Sequence, residues 1–169
     1  MLTLVIGGAA SGKSAYAEHL AVQSGGPRYY LATMQVWDAE CAARVAKHRA
    51  MRAQKQFATV ECPQNLHLVR LPQQGTALLE DLGNLAANEL YRPDGSCLPP
   101  KQAAEKMLAG IEAIAAQCNH LIIVSNEVFS GGADYAGETD LYLQALAMVN
   151  NAVAAQADAV CRVACGPPG

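Results

Sequence analysis

Residues 2–14 read LTLVIGGAASGKS: a mostly apolar run, Leu2 to Ile6, that breaks directly into a glycine loop, Gly7 to Ser14. No other stretch of the chain limits the fold as tightly. A continuous apolar run without polar alternation fits a central strand of a parallel sheet, buried on both faces. The loop after it has the spacing Gly7-x-x-x-x-Gly12-Lys13-Ser14, which matches the phosphate-binding loop pattern completely. Glycines let the backbone curl so that successive N–H groups point inward at phosphate oxygens. A helix starting near Lys13 aims the positive end of its dipole at the same place. Lys13 is a point charge for the outer phosphates, and the Ser14 hydroxyl is placed to ligate a Mg²⁺ ion that bridges them. The strand before the loop and the helix after it supply the context the motif requires. The loop specifies a nucleoside triphosphate; it does not choose between a kinase, an ATPase and a switch.

The rest of the chain sets the frame. Its 169 residues suit one nucleotide-binding domain spanning 1–169. Hydrophobic residues at 51% against 16% charged residues argue against disorder. A net charge of −3 argues against a general nucleic-acid binder, whose phosphate contacts need a basic surface. No apolar run reaches the roughly 18 residues of a membrane span, and no signal peptide is visible. With the first strand starting almost at Met1, a cytoplasmic protein is expected. Cysteines at 41, 62, 97, 118, 161 and 165 form no C-x-x-C pair and read as free thiols, several of them buried.

Strands and helices alternate. A helix over Ser14–Val22 ends near Ser24–Pro27, and RYYLAT, 28–33, is a second strand with Tyr29 and Tyr30 as core and edge of it. Asp38 is a candidate cap for a helix reaching about Gln54, with Trp37 packing before it. FATVE, 57–61, is a short strand; NLHLVRL is ambiguous; TALLE, 76–80, is a strand ending on a carboxylate. Leu82–Tyr91 is helical, 92–100 a loop, and 101–117 a helix with apolar spacing at Met107, Leu108, Ile111, Ile114 and Ala115. HLIIVS, 120–125, is a second buried strand; a glycine-rich loop, a helix over 139–156 and a strand over 159–164 complete the chain. The expected fold is α/β, a P-loop NTPase-like three-layer sandwich with a mostly parallel central sheet.

Ligands of such sheets bind at the carboxyl ends of the strands. Enzymes with this loop also need a strand-end carboxylate for the Mg²⁺ shell, and either Glu80 or Asp81 fits. Thr33, Asn126 and Glu127 stand at the same kind of edge. On the second helix Arg44, His48 and Arg52 follow one another at helical spacing, with Lys47 and Arg49 beside them. An ordinary solvated face is one reading of this basic stretch. The functional one is a phosphate-handling surface on which His48 acts as nucleophile or acid/base and the arginines steady the transferring phosphate.

The ordered series GGAASGKS, YYLAT, DAECAARVAKHRAMR, FATVECP, LLED, IIVSNEV and VNNAVAAQADAV resembles the adenosylcobinamide kinase / adenosylcobinamide-phosphate guanylyltransferase family over most of the chain. The resemblance implies a bifunctional enzyme of cobalamin biosynthesis. Such an enzyme phosphorylates adenosylcobinamide with ATP or GTP. It then carries GMP from GTP on a histidine to the phosphorylated corrinoid, giving adenosylcobinamide-GDP. On this likeness His48 is the guanylylated histidine, and His48, Lys13 and Glu80 are the catalytic set. The implied nucleotide contacts are Gly7, Gly8, Ala9, Ala10, Ser11, Gly12, Lys13, Ser14, Thr33, Arg49, Arg52, Glu61, Glu80, Asn126 and Glu127, with Ser14 and Glu80 on Mg²⁺. The implied partners are a nucleoside triphosphate, a corrinoid and two further copies of the chain in a homotrimer. The chain departs from the family pattern in several places, its short CGPPG tail among them. Ala10 replaces a usual arginine, Asp81-Leu82-Gly83-Asn84 replaces a Cys-Leu-Thr type segment, and no arginine occurs between Glu127 and Cys161. A P-loop kinase with one half-reaction or another small alcohol as acceptor, and a non-catalytic nucleotide-binding homologue, are the alternatives these departures leave open.

Overall fold

The computed structural model describes residues 1–8, 12–24, 26–34, 39–54, 57–91, 95–126 and 138–163, with the side chains of 41, 48, 51–54 and 138–140 outside that description. The elements are β1 (Leu2–Gly7), α1 (Lys13–Ser24), β2 (Arg28–Ala32), α2 (Ala39–Gln54), β3 (Phe57–Glu61), β4 (Thr76–Glu80), α3 (Leu82–Leu90), α4 (Pro100–Ala115), β5 (His120–Asn126), α5 (Glu138–Gln156) and β6 (Ala159–Val163). The expected elements are all present, and their ends shift by a few residues at most. The ambiguous segment NLHLVRL contains a short 3-10 turn, Leu66–Leu68. The proposed cap Asp38 and the packing residue Trp37 lie outside the described residues.

The six strands form one sheet in the order β3-β2-β4-β5-β1-β6, with every neighbouring pair parallel. Its central strands are apolar on both faces because both are covered. Leu4, Ile6, Leu31, Leu79, Leu121 and Ile123 pack on the side of α4 and α5, while Val5, Leu78, Ile122 and Val124 pack with Ala17 and Ala21 of α1 on the other. The result is the three-layer α/β sandwich expected of this loop. Tyr29 and Tyr30 are a correction to the sequence reading. β2 lies inside the sheet, and both rings are buried, on opposite faces. Of the cysteines described, Cys62 and Cys118 are buried and Cys97 is exposed, all as free thiols. Burial pushes the Cys62 thiol up to about 12, which keeps it protonated and unreactive.

One polar network fixes the strand ends that matter for function. Asn88 of α3 is buried and donates from its side-chain nitrogen to the carbonyls of Thr33 (2.7 Å) and Pro63 (2.9 Å). Its own carbonyl accepts from Gln64. The adjacent Glu89, also buried, accepts from the Asn65 N–H and pairs with Lys106 of α4 at 2.9 Å. Together these contacts tie the segments leaving β2 and β3 to α3. Replacing Asn88 with alanine strands one buried and one part-buried carbonyl, at about 1–3 kcal/mol for the buried one before relaxation. We expect Asn88→Ala to lower the thermal midpoint by roughly 5–10 °C for a domain of this size, read by calorimetry. A midpoint within a degree of wild type would show that the network carries no stability.

Candidate active site

The glycine loop opens from β1, next to the edge strand β6, where Gly7 is paired in register with Asn126 of β5 and Val163 of β6. Gly12 has φ +87°, a left-handed conformation that side chains rarely adopt, and its carbonyl accepts the Tyr16 N–H as the first turn of α1 forms. Lys13 is only 9% exposed and donates to the Gly8 carbonyl at 3.0 Å. Its ammonium thus folds back over the loop it belongs to. Ala9, Ala10 and Ser11 lie outside the described residues.

The buried stripe of α1 is Lys13, Ala17 and Ala21, spaced four apart. Small residues let the helix lie close against the sheet. That approach carries Ser14 across the intervening β5 to the end of β4, where its hydroxyl donates to one oxygen of Glu80. The second Glu80 oxygen accepts from the Tyr30 hydroxyl at 2.6 Å. Tyr30 is itself buried and held edge-on against Phe57, with ring centroids 5.9 Å apart. The two carboxylates that the sequence could not tell apart are placed differently. Glu80 faces the loop serine, whereas Asp81 caps α3 by accepting the Asn84 N–H at 2.7 Å.

Thr33 follows β2 directly and is wholly buried. Its hydroxyl contacts the carbonyls of Glu80 and Asp81 and accepts the Asp81 N–H, so it shapes the turn between β4 and α3. Beside this turn is a cleft of about 160 Å³ lined by residues that include Tyr30, Thr33, Val45, Glu61, Glu80 and Asp81. Val45 brings α2 to the cleft. Along α2, Arg49 pairs with Glu61 of β3, two exposed groups that satisfy each other. His48 and Arg52 lie on α2, but their side chains are outside the described residues, as is all of Glu127.

On the other face of the sheet, the Asn126 backbone carbonyl accepts from Asn150 at 2.9 Å, and the Asn126 side chain stands beside the Tyr142 hydroxyl of α5, both over Gly83. Burial first, then the charge of Asp81, pushes the Tyr142 phenol up, and the neighbouring Asn126 side chain offsets part of that rise. The structure thus brings together Gly7, Gly8, Gly12, Lys13, Ser14, Thr33, Glu80 and Asn126 along one edge, with Glu61 at its β3 end. Sequence reading missed Tyr30, Asn88 and Tyr142 as parts of this edge. Their roles depend on register and on distant pairings, and only the tyrosines' polar tips hint at partners. Among the described residues no cluster of three or more metal-ligating side chains occurs, and no helix is long and apolar enough to cross a membrane.

A parallel sheet, a glycine loop opening a helix, and a strand-end carboxylate hydrogen-bonded to the loop serine define a P-loop nucleotide-binding protein of the α/β class. Comparison with known proteins sharpens that class. The family model for cobinamide kinase / cobinamide phosphate guanyltransferase matches residues 3–169. The bifunctional adenosylcobalamin biosynthesis protein CobP of Pseudomonas aeruginosa is 32% identical over 170 residues, covering 99% of this chain and 95% of its own. The bifunctional adenosylcobalamin biosynthesis protein CobU of Escherichia coli K12 is 33% identical over 178 residues, covering 98% and 97%. Its namesake in Salmonella typhimurium is 31% identical, with the same coverage. The chain belongs to the cobinamide kinase / cobinamide phosphate guanyltransferase family.

The Tyr30–Glu80 bond is charge-assisted and part-buried, a type that contributes about 1.5–3 kcal/mol. Tyr30→Phe, which keeps the ring against Phe57, is expected to lose stability of about this size in urea melts, with an unchanged slope. A loss below about 0.5 kcal/mol would mean that Glu80 finds water in place of the phenol.

Proposed function

We propose that the chain is a bifunctional adenosylcobinamide kinase and adenosylcobinamide-phosphate guanylyltransferase that works through a guanylylated His48. The observation that carries this reading is the meeting of Ser14 and Glu80 beneath the glycine loop, beside a cleft that α2 also borders. Family membership and the bifunctional relatives support it.

The triphosphate lies in the loop, held by inward N–H groups, the amino end of α1 and Lys13, which leaves the Gly8 carbonyl for the outer phosphates. A carboxylate beside such an anion site repels it unless a cation intervenes, and a hydroxyl plus a carboxylate is the hard-oxygen donor set Mg²⁺ prefers. Ser14 and Glu80 therefore fit as the residues that hold it. A Mg²⁺ ion held by Ser14 and Glu80 would supply positive charge to neutralise charge developing on the phosphates. Tyr30 fixes the far oxygen of Glu80, so the carboxylate enters the site in one orientation.

In the kinase reaction, the acceptor hydroxyl attacks the γ-phosphorus of ATP or GTP, the bond to the β-phosphate oxygen breaks, and the hydroxyl proton leaves to solvent. In the second reaction, a neutral His48 nitrogen attacks the α-phosphorus of GTP. A P–N bond forms and pyrophosphate departs with the electron pair of the broken P–O bond. The phosphate of the phosphorylated corrinoid then attacks the same phosphorus, and the imidazole leaves. Position 48 lies three residues beyond Val45 on α2, so helical spacing puts it on the stretch that borders the cleft. Arg49, freed from Glu61, and Arg52 are the cations available there for the transferring phosphate. We assign the working assembly as a cytoplasmic homotrimer, on the family resemblance.

Incubation with labelled GTP and Mg²⁺ tests the proposal. The expected product is one GMP per chain, acid-labile and base-stable, which His48→Ala abolishes. Lys13→Ala is expected to slow both half-reactions at least 100-fold, because it removes a cation from charge that develops during transfer. Label that persists in His48→Ala, or no label in wild type, overturns the guanylyl-histidine. Phosphorylation of adenosylcobinamide without labelling would leave a kinase with one half-reaction, the outcome that the missing arginines between Glu127 and Cys161 point toward.

A further inference from the structure

Asn126 ends β5, the strand between the glycine-loop strand β1 and the carboxylate strand β4. In register it faces Gly7, and Glu80 pairs with Val124 two residues earlier on the same strand. It is therefore central in the row of strand ends over which the terminal phosphate of a loop-bound triphosphate projects. α5 reaches it from one helix face: Asn150 holds the backbone carbonyl, and eight residues earlier the Tyr142 hydroxyl stands beside the Asn126 side chain. Asn150 is wholly buried and also takes the Ser125 hydroxyl at 2.7 Å, so this end of β5 is pinned from below.

The Tyr142 hydroxyl has a seat of its own. A Cβ built on Gly83 would stand 2.7 Å from that oxygen, 3.2 Å from the Asn126 amide nitrogen and 3.3 Å from an Asp81 carboxylate oxygen. Three polar groups from three elements thus converge over one glycine, and any side chain at 83 would drive the hydroxyl away. Gly83 is buried in the first turn of α3, in the segment that also carries the Asp81 cap. A helix does not otherwise favour glycine. The close approach of the phenol explains it.

We propose that Tyr142 is a positioning residue for phosphoryl transfer: seated on Gly83, its hydroxyl fixes the Asn126 side chain in the row of strand ends facing the terminal phosphate. Tyr142 acts through Asn126 and touches no substrate. The inference rests on the kinase reading given above. It adds a residue that neither the glycine loop nor the basic helix contains.

The test is a set of steady-state measurements on the full chain, with adenosylcobinamide and ATP. Tyr142→Phe keeps the ring and removes the hydroxyl. It is expected to lower kcat about tenfold, with KM for ATP within about twofold, as for an interaction that matters in the transition state more than in the ground state. Gly83→Ala is expected to do the same by pushing the hydroxyl aside. The double variant is expected to match either single one, because both break one contact. In an Asn126→Ala background, Tyr142→Phe is expected to cost less than about twofold more. Losses that multiply in the double variant, a rise in KM without a fall in kcat, or a Tyr142→Phe enzyme within twofold of wild type would each overturn the proposal. If Asn126→Ala fails to fold, the Gly83 and Tyr142 pair completes the cycle by itself. A wild-type chain that phosphorylates no acceptor would fail at the kinase reading itself, and is distinguished by that result from a failure of Tyr142 alone.

Discussion

The hydrogen bond from Ser14 to Glu80 joins residues 66 positions apart, and the rest of the site is arranged around it. The glycine-loop strand and the carboxylate strand are not neighbours, because β5 lies between them. Only α1 can bridge that gap, and it does so because Ala17 and Ala21 let it settle closely on the sheet. A larger residue at either position would lift the helix and part the hydroxyl from the carboxylate. Packing on one face of a helix thus sets the distance between these two oxygen groups.

The two faces of the sheet divide the work. On the α1 face, Tyr30, Ser14 and Glu80 form a chain of hydrogen bonds under the cleft. On the other face, α3 and α5 hold the strand ends still: Asn88 clamps the turns after β2 and β3, and Asn150 clamps the end of β5. Thr33 connects the two systems, since its carbonyl takes Asn88 while its hydroxyl shapes the Glu80–Asp81 turn. Polar groups buried in this way carry a high cost if one partner is lost, which suits a site that must keep its geometry through two group transfers.

Much of this was legible in the chain itself. LTLVI and HLIIVS are apolar at both parities because helices cover both faces, and the glycine spacing names a triphosphate with no reference to anything distant. What escaped the sequence was whatever depends on strand order and register. Glu80 and Asp81 look equivalent until the register pairs Ala32 with Glu80 and the cap turns Asp81 into α3. Tyr30 reads as packing until its parity places it with Glu80. The glycine at 83 reads as an ordinary helix residue until Tyr142, 59 positions away, places its hydroxyl where a Cβ would stand. Arg49 and Glu61, both read as nucleotide contacts, satisfy each other, and a nucleotide must separate them to use either.

The proposed function requires a triphosphate in the loop, with Ser14 and Glu80 as the residues that would hold its metal. A crystal structure with a non-hydrolysable GTP analogue and Mg²⁺ tests it most directly. The account predicts phosphate oxygens on the loop N–H groups and Lys13 turned away from Gly8. It also predicts the metal on Ser14, with Glu80 still held by Tyr30. A nucleotide seated elsewhere, or a metal that leaves Ser14 bonded to Glu80 as it is now, would contradict it.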